Sequence, residues 1–137
     1  MFLFSTTFRV LYADTDMMQY MYYGNYAKYY EMARTEALRK LDLFYSELEK
    51  KGISMPVISM KADYLQPAYY DQLLTVRVTV DELPCTRMHF IYEIFNEEEI
   101  LINKAETTLI FWDQEKKRPT RAPEKLVERL REFFDFQ

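Results

Sequence analysis

The side chains that support most covalent and metal-dependent catalysis are nearly absent from this chain, which has one histidine, His89, and one cysteine, Cys85. A Ser-His-Asp or Cys-His arrangement would have to use His89 as its base. If both residues are extended, the Cα atoms of Cys85 and His89 lie about 13 Å apart, which is too far for contact. We therefore expect His89 to be a strand residue without a catalytic role.

The remaining residue types exclude several further kinds of site. A zinc site needs several His or Cys ligands, which the chain lacks. Asp14-Thr15-Asp16 resembles the start of a calcium loop, but Met18, Gln19 and Asn25 stand where that loop requires Asp or Asn, Gly and Glu. The two glycines lie in no phosphate-binding motif. We expect no metal or cofactor. The groups that remain for chemistry are carboxylates, amides at a helix start, and pockets lined by aromatic residues or methionine.

Length, charge and composition narrow the class of protein. A chain of 137 residues is expected to form one domain spanning 1–137, and 49% hydrophobic residues suffice for a core. The net charge of −4, without a basic block, argues against a nucleic-acid partner. No apolar run approaches the roughly 20 residues that span a bilayer. A single cysteine allows no intrachain disulfide, which favours a cytoplasmic location.

The first part of the chain contains the elements that would position a site. Residues 2–12 alternate between apolar and polar side chains, which predicts a half-buried strand, and 13–23 lack a clean period and are interpreted as a partly buried loop. A helix is predicted over 25–41, with Asn25 at its start. Glu31 and Arg34 are expected to form a structural ion pair on its other faces. The apolar stripe of this helix contains Tyr26, Tyr30, Ala33, Ala37 and Leu41.

The rest of the chain predicts an antiparallel sheet and two more helices. A short helix is predicted over 44–51, and a final helix over 123–136. Between them, strands are predicted at about 53–66, 72–82, 86–96 and 99–112, joined by short turns. The sequence therefore predicts an α+β fold in which a curved antiparallel sheet of about five strands wraps around the long helix.

Residues 12–39 carry a recognisable signature. Tyr12-Ala13-Asp14-Thr15-Asp16 is followed by an aromatic-rich loop, by Gly24-Asn25-Tyr26, and by Glu31-Met32-Ala33-Arg34-Thr35-Glu36-Ala37-Leu38-Arg39. This pattern resembles the 4-hydroxybenzoyl-CoA thioesterase family of hotdog enzymes, and the segments 62–71 and 118–123 are also similar to family segments. The resemblance implies the hotdog fold and hydrolysis of an acyl-CoA thioester to a carboxylate and CoA.

The resemblance also implies roles for particular residues. The catalytic carboxylate falls on Asp16, as general base or nucleophile, and the amides of Tyr23 and Gly24 would form the oxyanion hole. These roles are physically sound, because a helix start presents unpaired N–H groups and partial positive charge to a developing oxyanion. A carboxylate can activate water or attack a carbonyl without help from a histidine.

Substrate contacts and assembly follow from the same resemblance. Met18, Gln19 and Tyr20 are candidates for lining the acyl pocket, although ordinary packing explains the loop equally well. Arg87 and Arg118 are candidates for binding CoA phosphates. The family pattern implies a dimer, with sheets joined edge to edge and sites at the interface, or a tetramer built from such dimers. The chain departs from the family at Gln19, where relatives usually have glycine, and at Tyr23, where some have histidine.

Two alternatives stay open at this stage. One is a non-catalytic hotdog protein that binds acyl-CoA or an acyl carrier protein, since a bulky residue at Gln19 could reshape or close the pocket. The other is a hotdog dehydratase or hydratase, which would need an active-site histidine beside an acid. His89 is badly placed for that chemistry.

Overall fold

The computed structural model describes residues 1–134. In these residues the helices are α1 (Tyr26–Lys40), α2 (Tyr45–Lys50) and α3 (Glu124–Arg131). The strands are β1 (Phe2–Arg9), β2 (Ile53–Ser54), β3 (Val57–Tyr64), β4 (Leu73–Val80), β5 (Arg87–Phe95), β6 (Leu101–Ile110), β7 (Trp112–Asp113) and β8 (Arg118–Pro119). Single 3₁₀ turns lie at Tyr12–Asp14 and Tyr23–Asn25.

The main sheet has five antiparallel strands in the order β1-β4-β5-β6-β3. The central strands alternate sharply, because Val76, Val78 and Val80 are fully buried while Arg77 remains half-exposed. Strands β1 and β3 form the two edges. Together with α1 and α3, this sheet confirms the α+β hotdog architecture that the sequence predicts.

The helix α1 packs its predicted apolar stripe against the sheet. Tyr30, Ala33 and Ala37 are completely buried, and the ring of Tyr30 stacks on that of Tyr92 in β5 at 4.8 Å between centroids. The two alanines have short side chains, which lets the helix approach a broad surface closely. The periodicity of the sequence therefore identifies both the helix and the face that it buries.

Arg34 departs from the prediction. Its side chain is buried, its guanidinium lies 3.5 Å from the hydroxyl of Tyr92, and it forms no ion pair with Glu31 within residues 1–134. Arg34 stands one helical turn after Tyr30 and thus beside the buried stripe. The long aliphatic stem follows the stripe inward and carries the charge to the Tyr92 hydroxyl.

The strand predicted over 53–66 is in fact two strands, broken at Met55 and Pro56. Pro56 has no N–H to donate to a ladder, although its carbonyl accepts a hydrogen bond from Ile110 at 3.1 Å. Before the break, β2 joins a separate three-stranded sheet with β7 and β8, whereas β3, after the break, joins the main sheet. Strands of two residues leave no period in the sequence, so this second sheet was not predicted.

The helix ends also differ from the prediction. The long helix begins as the 3₁₀ turn at Tyr23–Asn25 and becomes α-helical at Tyr26. The α-helical part of α3 ends at Arg131, and Phe136, to which the predicted helix extended, lies outside the described residues. Within residues 1–134 no helix combines the length and the apolar character needed to cross a membrane.

Candidate active site

The loop before α1 folds into a tight turn around Asp16. The backbone N–H of Asp16 donates to the carbonyl of Tyr20 at 3.1 Å, and that of Gln19 donates to the carbonyl of Asp16 at 2.9 Å. One carboxylate oxygen of Asp16 accepts a hydrogen bond from the N–H of Met18 at 2.8 Å. The carboxylate is half-buried, so one of its oxygens is held by the loop while the group stays accessible.

Gln19 adopts a backbone conformation that favours glycine. Its φ is +71°, in the left-handed region that L-residues with a Cβ enter at a cost. The turn that places the Asp16 carboxylate requires this conformation. This explains physically why a glycine suits the position, and the glutamine of this chain adopts the same conformation.

The turn at Tyr23 presents free amides. Tyr22 and Asn25 donate their backbone N–H groups to Asp14 and Tyr22 respectively, each within 3.0 Å. By contrast, the N–H groups of Tyr23 and Gly24 donate no hydrogen bond to any residue in 1–134. These two amides stand at the positive end of the long helix and are available to a negatively charged oxygen.

Two clefts meet at Asp16, which contributes to the lining of both. The first, here called the loop cleft, has a volume of about 670 Å³. The second, the helix cleft, has a volume of about 430 Å³. The loop cleft is lined by Tyr12, Thr15, Asp16, Met17, Gln19, Tyr69 and Tyr70. The helix cleft is lined by Asp16, Tyr20, Met21, Tyr22, Tyr23, Tyr26, Tyr64, Leu65, Gln66 and Pro67.

The helix cleft has a wall of interlocking tyrosine rings. The ring of Tyr64 lies 5.2 Å from that of Tyr26 and 6.1 Å from that of Tyr23, both edge to face. Burial raises the pKa of Tyr26 to about 12, and the neighbouring Tyr64 adds to the shift. Burial also raises the pKa of Tyr64. These hydroxyls therefore stay protonated at neutral pH, and the wall combines flat apolar surface with hydrogen-bond donors.

Asp14 has a different environment from Asp16. It is 1% exposed, and its carboxylate accepts hydrogen bonds from the Lys28 ammonium and the Tyr29 hydroxyl. Burial alone would raise the pKa of this carboxyl, but the hydrogen bonds and charge of its partners outweigh burial and lower the pKa. Asp14 lines neither cleft. The carboxylate of Asp14 thus contacts two side chains of the helix that follows the loop.

The structure brings some of the candidate residues together and leaves others apart. Asp16, Tyr20 and Tyr23 line the helix cleft, and Gln19 lines the loop cleft. Met18 is largely exposed and lines neither, although its amide holds Asp16. Gly24 also contributes no lining, but a Cβ built there would lie 2.6 Å from the ring of Tyr22. Its small size thus permits the packing of the turn.

The two arginines lie outside the clefts around Asp16. Arg87 opens β5 opposite Ile110, whose neighbour Leu109 pairs with Val57 at the start of β3. Tyr64, in the helix cleft, ends the same strand, roughly 20 Å away at the rise of an extended chain. Arg118 lies in β8 of the small sheet. Both arginines are exposed, and neither lines a cleft that contains Asp16.

His89 lies in β5, which confirms the prediction that it is a strand residue. Its ring nitrogens lie 3.5 Å from Asp81 and 3.4 Å from Glu106, and it lines neither cleft. Potential metal-ligand atoms of His89, Asp81 and Glu82 lie within 4.8 Å of one another. Three oxygen and nitrogen atoms at a partly exposed position do not amount to the several His or Cys ligands of a zinc site.

Sequence reasoning missed the second wall of both clefts, which comes from residues 64–70. Tyr69 pairs with Tyr20 through an isolated β-bridge, and the N–H of Met21 donates to the carbonyl of Ala68 at 2.7 Å. Local spacing could not reveal contacts between such distant segments. The available signal was the similarity of segment 62–71 to the family pattern.

Comparisons with known proteins agree with this architecture. A family model described as the thioesterase-like superfamily matches residues 10–130. The acyl-CoA thioester hydrolase YbgC of Escherichia coli is 32% identical over 125 residues, covering 91% of this chain and 93% of YbgC. A DHNA-CoA thioesterase structure from Staphylococcus aureus has a TM-score of 0.84 and 34% identity, over 88% of this chain and 81% of that one. A 4-hydroxybenzoyl CoA thioesterase structure has a TM-score of 0.83 with 20% identity, over 93% and 97% of the chains, which shows the shared fold.

Proposed function

The chain belongs to the thioesterase-like superfamily, and on that premise we propose that it is an acyl-CoA thioester hydrolase whose reaction takes place at Asp16. The substrate is an acyl-CoA, and the products are a free carboxylate and CoA. Relatives of this chain that span nearly its whole length are named as hydrolases of this class. The roles of individual residues rest on the geometry of the site.

One observation carries the proposal. Asp16 and Tyr23 line the same cleft, and the free amides of Tyr23 and Gly24 lie at the helix start beside it. Hydrolysis of a thioester needs a group that generates or supplies the nucleophile and donors that stabilise the oxyanion. A carboxylate and two unpaired amides supply both requirements. Neither a metal nor a histidine is needed for this scheme.

The reaction proceeds through a tetrahedral species in either of two routes. Asp16 removes a proton from a water molecule as that water attacks the carbonyl carbon, or the Asp16 carboxylate attacks that carbon and the resulting anhydride is hydrolysed. In both routes the carbonyl oxygen becomes an oxyanion, and the Tyr23 and Gly24 amides stabilise it. When the tetrahedral species collapses, the C–S bond breaks, and CoA leaves as a thiolate and takes up a proton. The general-base route releases the acid in this step, whereas the nucleophilic route leaves the mixed anhydride, which a water molecule then hydrolyses to the acid and free Asp16.

The two clefts divide the substrate at Asp16. The helix cleft accepts the acyl group in this proposal, because its tyrosine wall lies beside the free amides. The loop cleft then receives the pantetheine side, with Gln19 among its lining residues. Both clefts are open to solvent in one protomer, so substrate and product can enter and leave.

A dimer formed through β3 is part of the proposal. This edge strand is exposed over nearly its whole length, including Ile58 at 46% and Met60 at 51%. An edge strand with apolar side chains presents unpaired backbone groups to another chain. A two-fold axis through the middle of β3 would continue the sheet edge to edge. Pairing of two such dimers would give a tetramer.

The dimer would also give the arginines a role. Antiparallel pairing of two β3 strands sets the Val57 end of one beside the Tyr64 end of the other. Arg87 of the partner subunit, which lies at the Val57 end, would then approach the clefts around Asp16, where it could bind CoA phosphates. Arg118 of the partner subunit is the second candidate. Shared sites of this kind would make activity depend on assembly.

We further propose a cytoplasmic location. CoA thioesters are intracellular metabolites, and the single cysteine, Cys85, is a free and exposed thiol. A reducing compartment keeps such a thiol reduced. The proposal is separate from the reaction and is tested by fractionation of cells.

Free-thiol release from short, medium, long and aromatic acyl-CoAs tests the function. Asp16→Asn should lower the rate by on the order of 100- to 10,000-fold, while Asp81→Asn, an exposed carboxylate away from both clefts, should leave it unchanged. Turnover that survives in Asp16→Asn would remove Asp16 from the mechanism. Tight acyl-CoA binding without turnover in the native chain would instead identify a binding protein, and water addition to an enoyl-CoA would identify a hydratase.

A further inference from the structure

Asp14 connects the loop that carries Asp16 to the first turn of the long helix. Its backbone carbonyl accepts hydrogen bonds from the Tyr22 N–H and from the Asn25 side-chain amide, both at 2.9 Å. Its carboxylate accepts hydrogen bonds from Lys28 and Tyr29. A single residue thus contacts both the segment before the Tyr23 turn and the helix after it.

The helix is arranged to receive this residue. Lys28 and Tyr29 follow Asn25 by three and four residues, which places the three side chains on one face of the first turn. That face points to Asp14 and leaves the Tyr23 and Gly24 amides free. Residues at this position commonly cap their own helix with the side chain. The side chain of Asn25 does not. It binds the loop instead.

We propose that Asp14 is a positioning residue that sets the placement of the Asp16 carboxylate relative to the Tyr23 and Gly24 amides. This inference rests on the proposed function, because the proposed function makes the carboxylate and the two amides the reacting groups. Asp16 follows Asp14 by two residues, and the Tyr23 amide follows the Tyr22 N–H that Asp14 accepts. One group of the reacting pair is thus two residues from Asp14, and the other is the next residue after one that contacts Asp14.

The burial of Asp14 makes the connection rigid. A carboxylate that is 1% exposed cannot exchange its partners for water without a large cost. Lys28 neutralises its charge, and the ring of Tyr29 stacks on Phe8 of β1 at 3.8 Å. The loop is therefore fixed to the helix and, through that ring, to the sheet.

A matched pair of hydroxyl deletions tests the proposal. Tyr29→Phe removes the hydrogen bond to Asp14 and keeps the stacking on Phe8. Tyr30→Phe removes a buried hydroxyl from the next residue of the same helix, where the partner is Asn103 at 2.5 Å. We expect Tyr29→Phe to lower kcat about tenfold with KM within about twofold, because misplacement of reacting groups by an ångström costs up to about 100-fold. Tyr30→Phe should retain kcat within about twofold.

A second readout does not depend on activity. Amide exchange of Tyr22, whose N–H donates to Asp14, should accelerate about tenfold in Tyr29→Phe and not in Tyr30→Phe, since loss of one loop contact opens the loop locally. Lys28→Met, at a half-exposed side chain, should act in the same direction, with Lys40→Met at the other end of α1 as its control.

The outcomes separate the two hypotheses. A native chain that hydrolyses no acyl-CoA overturns the proposed function, and the exchange rates still decide whether Asp14 fixes the loop. Equal kcat in Tyr29→Phe and Tyr30→Phe, in an active enzyme, overturns the positioning role. Equal exchange of Tyr22 in the two variants overturns the loop connection itself.

Discussion

The hydroxyl of Tyr64, at the end of the edge strand β3, donates a hydrogen bond to the backbone carbonyl of Tyr23 at 3.5 Å. The strand proposed as the subunit interface therefore contacts the turn proposed as the oxyanion hole. A change in the pairing of β3 would be transmitted to the catalytic turn through one side chain. In the proposed dimer, this contact would link assembly to catalysis.

The ring of Tyr64 should matter more than its hydroxyl. A hydrogen bond of 3.5 Å is long and weak, whereas the ring packs on both Tyr23 and Tyr26. Edge-to-face pairs contribute about 0.5–1.5 kcal/mol each. Tyr64→Phe should therefore keep kcat/KM within about twofold, and Tyr64→Ala should raise KM about tenfold. Steady-state kinetics on one acyl-CoA measure both, and equal losses in the two variants would contradict this ranking.

Gln19→Gly should stabilise the protein. The φ of +71° at this residue costs a side chain with a Cβ about 1–2 kcal/mol, while glycine adds about 0.4–1 kcal/mol of unfolded-state entropy. The balance is a gain of about 0.5–1 kcal/mol, or roughly 2–4 °C in Tm. Thermal unfolding of Gln19→Gly and Gln19→Ala measures this gain. Both variants lose the side-chain amide, but only glycine removes the cost of the positive φ. A gain in Gln19→Ala would show that the side chain is the cause.

The sequence predicts the long helix and its buried face because Tyr26, Tyr30, Ala33 and Ala37 repeat at helical spacing. It does not predict the burial of Arg34, because a charged residue beside an apolar stripe is normally expected to be exposed to solvent. The residues of the tight turn around Asp16 show no periodic pattern of apolar side chains, so periodicity could not predict the turn. The motif resemblance was needed to single out Asp16, and only the fold could bring residues 64–70 against it.

Asp14→Asn should remove an acid-sensitive part of the stability. The folded-state pKa of Asp14 lies below its ordinary value of 3.8, so between these two values the unfolded chain binds more protons than the folded one. The stabilisation is fully present above pH 3.8 and is lost as the pH falls through the folded-state pKa. Urea unfolding of native chain and Asp14→Asn from pH 3 to 7 measures this difference.

At neutral pH we expect Asp14→Asn to lose about 2 kcal/mol, the scale of a hydrogen bond to a charged group. The loss should shrink below pH 3.8, since the native carboxylate is then protonated as well. Asp113→Asn serves as a comparison. The pKa of Asp113 is also lowered, mainly by a hydrogen bond from the backbone of Lys116, but the residue is only partly buried and solvent screens its charge. A loss in Asp14→Asn that does not change with pH would contradict the assignment.

Met60→Lys should convert the protein to monomers and lower its activity per chain. Met60 is 51% exposed in the middle of β3, and an added lysine on an edge strand opposes pairing by charge and by the cost of burying it. Leu3→Lys is the matched control, because Leu3 is 55% exposed on the opposite edge strand, β1. Sedimentation at micromolar concentration should give a lower mass for Met60→Lys alone, and thiol release should fall in proportion to the monomer fraction. Dissociation by Leu3→Lys instead would move the interface to β1, and a fully active monomer would refute the shared site.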